Sequence, residues 1–180
     1  MQTIEVFFYR PDIDHRLLDN IIAGWTSLFN RQAVKLGLIC SHTEIGFGDN
    51  CWTSTMDGGQ GVVCRPKQEV LKNPHRWFYF EFDITDNQAI QLRYVLDFKL
   101  ANNAGYDKVA ILSFFFPVRF GNQDKFICSE FVYRILYRIA QLADDNHPIK
   151  KAVRKENEIP SPIRLAYWLK TAGLEVKTLI

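Results

Sequence analysis

From Cys128 onward the chain carries its strongest periodic signal. Phe131, Val132, Ile135, Leu136 and Ile139 recur at the three- and four-residue spacing of an α-helix, with Arg134 and Arg138 pointing elsewhere. An apolar stripe of that kind has to lie against another apolar surface. Trp77 to Ile84, rich in aromatic and β-branched residues with Glu81 and Asp83 alternating, and Ile4 to Tyr9 both read as strands. A helix that needs a cover and strands that need one restrict the chain to a layered fold of helices on a sheet.

The remaining elements follow from caps and turns. After Pro11, the set Leu17, Leu18, Ile21, Ile22, Trp25, Leu28 and Phe29 predicts a helix of about four turns. Leu38 to Phe47 has strand character, Gly46 to Asn50 supplies turn residues, and Cys51 to Thr55 returns as the second arm of a hairpin. Gly58 and Gly59 break the chain before Val62 and Val63. Thr85 with Gln88 forms a capping box for a helix carrying Ile90, Leu92, Val95, Leu96 and Leu100 and ending near Gly105. Asp144 to Pro160, with Lys150, Lys151, Arg154 and Lys155, reads as a solvated mobile connection. Ser161 and Pro162 start a last helix that Gly173 ends. Helices early, strands central and helices late suit an α+β fold better than alternating βαβ units.

Composition sets limits on function. With 47% hydrophobic residues in 180, the chain buries a full core as one domain. Its 22 basic and 20 acidic residues leave a formal charge of +2, which gives no electrostatic case for a nucleic-acid partner. Met1 to Arg10 lacks the features of a signal peptide, and the apolar run Val109 to Val118 is about half the ~20 residues of a spanning helix, so no transmembrane segment is expected. Cys40, Cys51, Cys64 and Cys128 are expected as free thiols in a reducing compartment, although spacing alone leaves a Cys51–Cys64 disulfide open. No Cys-x-x-Cys or His-x-x-x-His pair supplies zinc-chelating spacing, so neither metal nor cofactor is expected.

Chemistry concentrates in two places. Cys128 stands where a short apolar lead-in, Lys125-Phe126-Ile127, meets a helix N-terminus. The unpaired amides there stabilise a thiolate and can hold a developing oxyanion. His42 lies on a strand whose alternation puts Cys40, His42 and Glu44 on one face, and imidazole suits removal of a thiol proton near neutral pH. Glu130 is favourable in the first helical turn and is given no catalytic role. His15, His75 and His147 read as solvated surface residues.

Ser41-His42-Thr43-Glu44-Ile45 followed by Cys128-Ser129-Glu130-Phe131-Val132 resembles the circularly permuted branch of the NlpC-type, papain-like superfamily, in which the histidine strand precedes the cysteine helix. The second segment is similar to the helix start of YiiX-like proteins and, more distantly, of lecithin retinol acyltransferases. Trp25-Thr26, Thr53-Ser54-Thr55, Asp57-Gly58-Gly59, Tyr106-Asp107 and Ser161-Pro162 resemble a subset often found in bacteriophage genomes. The resemblance implies one permuted papain-like domain over residues 1–180, with a central antiparallel sheet packed against helices. It implies Cys128 as nucleophile, His42 as base and a third polar group orienting the imidazole. Asp57 is the first choice for that group. Glu44 is the second, because residues two apart on a strand share a face but stand roughly 7 Å apart. Tyr106 and Ser129 are the candidates for contacts with substrate or oxyanion, Tyr106 reading equally as a core-edge aromatic.

The function so implied is a cysteine hydrolase acting through an acyl-enzyme on an amide, in a peptide or peptidoglycan stem peptide. An acyltransferase or a thioester or lipid-ester hydrolase shares the constellation, with Ile111 to Phe116 as an acyl pocket or, in the plainer reading, a buried helix. A phage protein that keeps the scaffold and binds a host protein without catalysis is the third reading. Each is expected in a bacterial host cytoplasm or with a virion.

Overall fold

The computed structural model describes residues 1–11, 17–56, 61–102, 104–111, 125–153 and 159–179, without the side chains of Leu17 and Leu18. Six strands form one antiparallel sheet: β1 (Gln2–Tyr9), β2 (His42–Phe47), β3 (Asn50–Thr55), β4 (Gly61–Pro66), β5 (Trp77–Ile84) and β6 (Lys177–Thr178). Their order across the sheet is β4-β3-β2-β1-β5-β6. Around it run α1 (Leu17–Phe29), α2 (Arg31–Lys35), α3 (Lys67–Val70), α4 (Asp86–Ala101), α5 (Cys128–Gln141), α6 (Pro148–Ala152) and α7 (Pro162–Thr171), with one 3₁₀ turn at Pro74–Arg76. The chain is thus α+β. Among the described residues no helix is long and apolar enough to cross a membrane.

Alternation along the central strands makes two unlike faces. Ile4, Val6 and Phe8 of β1 stand beside Phe82, Phe80 and Phe78 of β5 and, across β2, beside Phe47, Ile45 and Thr43. Phe8 stacks on Phe78 at 5.3 Å and meets Phe80 edge-on at 5.8 Å, the offset geometries aromatic quadrupoles favour. Phe131, Val132, Ile135, Leu136 and Ile139 of α5 join this core, as do Ala89, Leu92 and Leu96 of α4. On the opposite face Phe7 is registered with Glu44 and Tyr79, and Tyr9 with His42 and Trp77. A small apolar cluster there, centred on Phe7, Cys51 and Trp77, is bordered by charged pairs: Lys67 with Glu5 at 2.5 Å, and Lys177 with Glu81. Gly46 lets the aromatic ring of Phe7 lie flat against β2, since a Cβ at that position would meet the ring at 2.6 Å.

Several expectations need correction. Strand β2 begins at His42, so Cys40 lies outside the alternation that His42 and Glu44 share. In α1 the buried residues are Ile22, Ala23 and Thr26, whereas Ile21, Trp25, Leu28 and Phe29 are exposed. Apolar residues spread over more of that helix than its contact surface covers. The same holds for α4, which exposes Ile90 and Leu100 although its capping box forms as expected. Within the connection after Asp144, α6 buries Ile149 and Ala152. His147 is not simply solvated: it caps α6 through the Ile149 amide at 3.2 Å and packs edge-on to Phe82. Cys51 and Cys64 are free, and the register shows why: Cys51 pairs with Arg65 and Cys64 with Trp52, which puts the two thiols on opposite faces. Gly58, Gly59, Arg154, Lys155, His15 and most of the run from Ile111 to Val118 lie outside the described residues.

Candidate active site

Cys128 is the first residue of α5, and Ile127 before it is extended, with φ −88° and ψ 163°. Isoleucine has no side-chain acceptor, so it cannot close the amides of the first turn as serine or aspartate would. The lead-in is pinned from two sides. The Phe126 carbonyl accepts from the Ser54 hydroxyl at 2.7 Å and from the Asp107 amide at 3.0 Å, while the Phe126 amide donates to Gly105. Gly105 in turn sits against Gly61, where a Cβ would stand 2.4 Å from the Ala104 carbonyl, so this junction depends on glycine. The Gly105–Asp107 segment therefore runs beside the lead-in to Cys128 and brings Tyr106 to the same cleft.

His42 reaches that cleft from the sheet. Its side chain is 23% exposed, and its Nε2 lies 3.4 Å from Glu44 Oε1 and 3.3 Å from Thr53 Oγ1. Thr53 donates to the Thr43 carbonyl at 2.9 Å, which turns a lone pair toward the imidazole. Both neighbours of Nε2 thus act as acceptors, and the network assigns the Nε2 proton to that side. Burial alone would drive the imidazolium pKa down. The Cys128 side chain, through charge and hydrogen bonding, and then Glu44 outweigh burial and push His42 up to about 10. The imidazole thus stands between Cys128 on one side and Glu44 on the other.

Glu44 is 1% exposed and takes a hydrogen bond from Arg65 at 2.5 Å on the same oxygen that faces His42. Glu44 and His42, two apart on β2, meet because their side chains lean toward each other and close the strand separation. Arg65 comes from β4, where its register with Cys51 places it on the His42 face. The other thiols stand in contrast: burial pushes Cys40 and Cys51 well above the usual thiol range, and Cys64 is raised as well.

The cleft these groups share has a volume of about 610 Å³ and opens over the face of the sheet that carries Tyr9 and Trp77. No known family, curated protein or solved structure matches the chain. Its site therefore rests on its own geometry. Of the residues singled out in the sequence, Cys128, His42, Glu44 and Tyr106 line this cleft. Asp57 lies outside the described residues. Ser129 is fully buried and its hydroxyl donates to the Pro160 carbonyl at 2.6 Å, so only its main-chain amide is placed for an oxyanion. Glu130 is buried and paired with Arg134 at 2.7 Å, in keeping with a structural place in the helix. Thr53 and Arg65 were not identified as site residues from sequence. The signal for both was the β2-β3-β4 register, since each falls on the His42 face only once three strands are aligned. Among the described residues no group of three or more His, Cys, Asp and Glu side chains is arranged to hold a metal ion.

Proposed function

We propose that the chain is a cysteine hydrolase of the amidase or peptidase kind, built as a permuted papain-like domain, with Cys128 as nucleophile, His42 as acid and base, and Glu44 orienting the imidazole. The observation that carries this reading is the meeting of Cys128, at an uncapped helix start, with His42 and the buried Glu44 in one open cleft. With Nε2 engaged by Glu44 and Thr53, Nδ1 is the nitrogen that exchanges the proton with Sγ. The thiolate adds to the amide carbonyl carbon, and the first-turn amides, with the Tyr106 hydroxyl across the cleft, hold the oxyanion. As the C–N bond breaks, the imidazolium gives its proton to the departing amine. Water, losing a proton to His42, then attacks the thioester carbonyl; the C–S bond breaks to release the Cys128 thiolate beside the His42 imidazolium, and the carboxylic acid gives its proton to solvent as it leaves.

Peptide fits the walls better than a long acyl chain. Lys72, Asp19 and Glu69 line the cleft, and an alkyl chain laid along them would displace their water and offer no polar group in return. A peptide or peptidoglycan stem peptide offers carboxylates and amines to meet them.

The test is alkylation with iodoacetamide, read peptide by peptide by mass spectrometry, in the wild type and in His42→Ala. At pH 6.5 Cys128 is expected to label at least ~10-fold faster than the more exposed Cys64, and His42→Ala is expected to remove that advantage. Equal labelling of the two cysteines, or a peptide-amide hydrolysis activity that survives Cys128→Ala, would sink the assignment.

A further inference from the structure

Glu44 presents an electrostatic problem that the Cys128–His42 pair does not solve. A carboxylate 1% exposed to solvent loses most of its hydration, and it stays ionised only if nearby cations replace that hydration. Its Oε2 is buried with no hydrogen-bond partner among the described residues, so both contacts that favour the ionised form fall on Oε1. One is His42 at 3.4 Å, whose charge the Cys128 thiolate also claims. The other is Arg65 at 2.5 Å.

Among the described residues, the ion pairs of Glu44 are with His42 and Arg65. On β1, Glu5 is itself acidic and is taken up by Lys67 of α3. On β3, Cys51 stays a neutral thiol because burial and Glu44 oppose its ionisation. Phe7, directly opposite Glu44 on β1, is apolar. Lys72 and Arg76 line the same cleft, and Arg76 donates to the Tyr9 hydroxyl at 2.9 Å.

We propose that Arg65 is a positioning residue that completes the site as a charge-balanced quartet, offsetting the buried Glu44 charge so that it does not oppose a Cys128 thiolate beside the His42 imidazolium. The proposal rests on the reading of Cys128 and His42 given above. The charges of Cys128, His42, Glu44 and Arg65 cancel when all four are ionised. Removal of the guanidinium leaves a net negative charge in a half-closed site, and the site relieves it by keeping a proton on Cys128, which lowers the amount of thiolate at a given pH. Removal of the Glu44 charge together with that of Arg65 restores the balance without restoring any contact, which separates electrostatic from structural effects.

The experiment follows the pH profile of Cys128 alkylation by iodoacetamide in wild type, Arg65→Gln, Arg65→Lys, Glu44→Gln and the double variant Glu44→Gln/Arg65→Gln, with thermal melts confirming that each is folded. Arg65→Gln is expected to slow alkylation about 10-fold at pH 6.5 and move the profile to higher pH, Arg65→Lys to stay within about threefold of wild type, and the double variant to return to within about threefold. Glu44→Gln alone is expected to move the profile to lower pH, and adding Arg65→Gln to it moves the profile back; this comparison decides the matter if Arg65→Gln does not fold. A wild-type profile in Arg65→Gln, or a double variant as slow as Arg65→Gln, overturns the proposal while leaving Cys128 and His42 intact. A wild-type Cys128 no faster than Cys64 at pH 6.5 overturns the proposal and the cysteine-hydrolase reading together.

Discussion

The two faces of the sheet solve different problems with the same alternation. On one, Ile4, Val6, Phe8, Phe78, Phe80 and Phe82 meet α4 and α5 in a continuous apolar core. On the other, side chains one residue out of phase, His42, Glu44, Thr53 and Arg65, form a polar network beside a three-residue apolar cluster. A strand that buries phenylalanine on one side and charge on the other cannot slip by one residue without exchanging the two, so core packing fixes the register of the site. The first face supplies stability, and the second spends part of it on desolvated charge.

The largest expected effect separates these roles. Phe80→Ala should cost about 3–5 kcal/mol in urea unfolding, because a fully buried ring leaves a cavity. At pH 10, where the imidazolium charge contributes little, His42→Ala should cost about 1 kcal/mol or less, while at pH 6.5 it removes rapid Cys128 alkylation. A His42→Ala variant as destabilised as Phe80→Ala would show that the polar face also carries the fold.

A smaller effect sharpens the comparison through pH. His42 stands near 10 in the folded chain, above the ~6.5 of an unfolded histidine, so its contribution to stability is complete below about pH 6.5 and is lost as pH rises through about 10. The stability difference between wild type and His42→Ala should therefore shrink between pH 6.5 and 10, while the difference between wild type and Phe80→Ala stays level over the same range. Parallel pH dependences in both pairs would remove the distinction between the faces.

The smallest effect lies away from both. Thr85 accepts from the Gln88 amide and Gln88 reaches back to the Thr85 amide, closing the start of α4. Thr85→Ala should cost about 1 kcal/mol by thermal unfolding and leave the alkylation rate of Cys128 unchanged.

Much of this division was legible in the sequence because it is local. The capping box at Thr85, the serine and proline that open α7, and the stripe that begins at Cys128 are all written within one or two turns, and they formed where expected. Alternation alone placed His42 and Glu44 on one face. What stayed hidden depends on pairing across strands. Gly61 to Pro66 follows a glycine break and is only six residues long, so its strand character, and with it the approach of Arg65 to Glu44, emerges only from register with β3. The strand spacing made Glu44 look too far from His42 because it counts backbone rise and ignores the reach of a glutamate side chain. The exposed faces of α1 and α4 mark the opposite error, in which apolar periodicity overstates how much of a helix finds a partner.

The two walls of the cleft differ in how freely they can change. On one, Ser54 and Asp107 fasten the Phe126 carbonyl, and Ser129 ties the first turn of α5 to Pro160, so Cys128 is anchored from both sides. The other wall is the short run from Lys67 to Arg76, where Glu69, Val70, Lys72 and Asn73 face the cleft from a single helical turn and its following loop. If the cleft is the proposed active site, substitutions along those ten residues reshape what it accepts without touching Cys128 or His42. In an evolving or engineered lineage, a new substrate preference would be recorded there first, while the cysteine wall stays as it is.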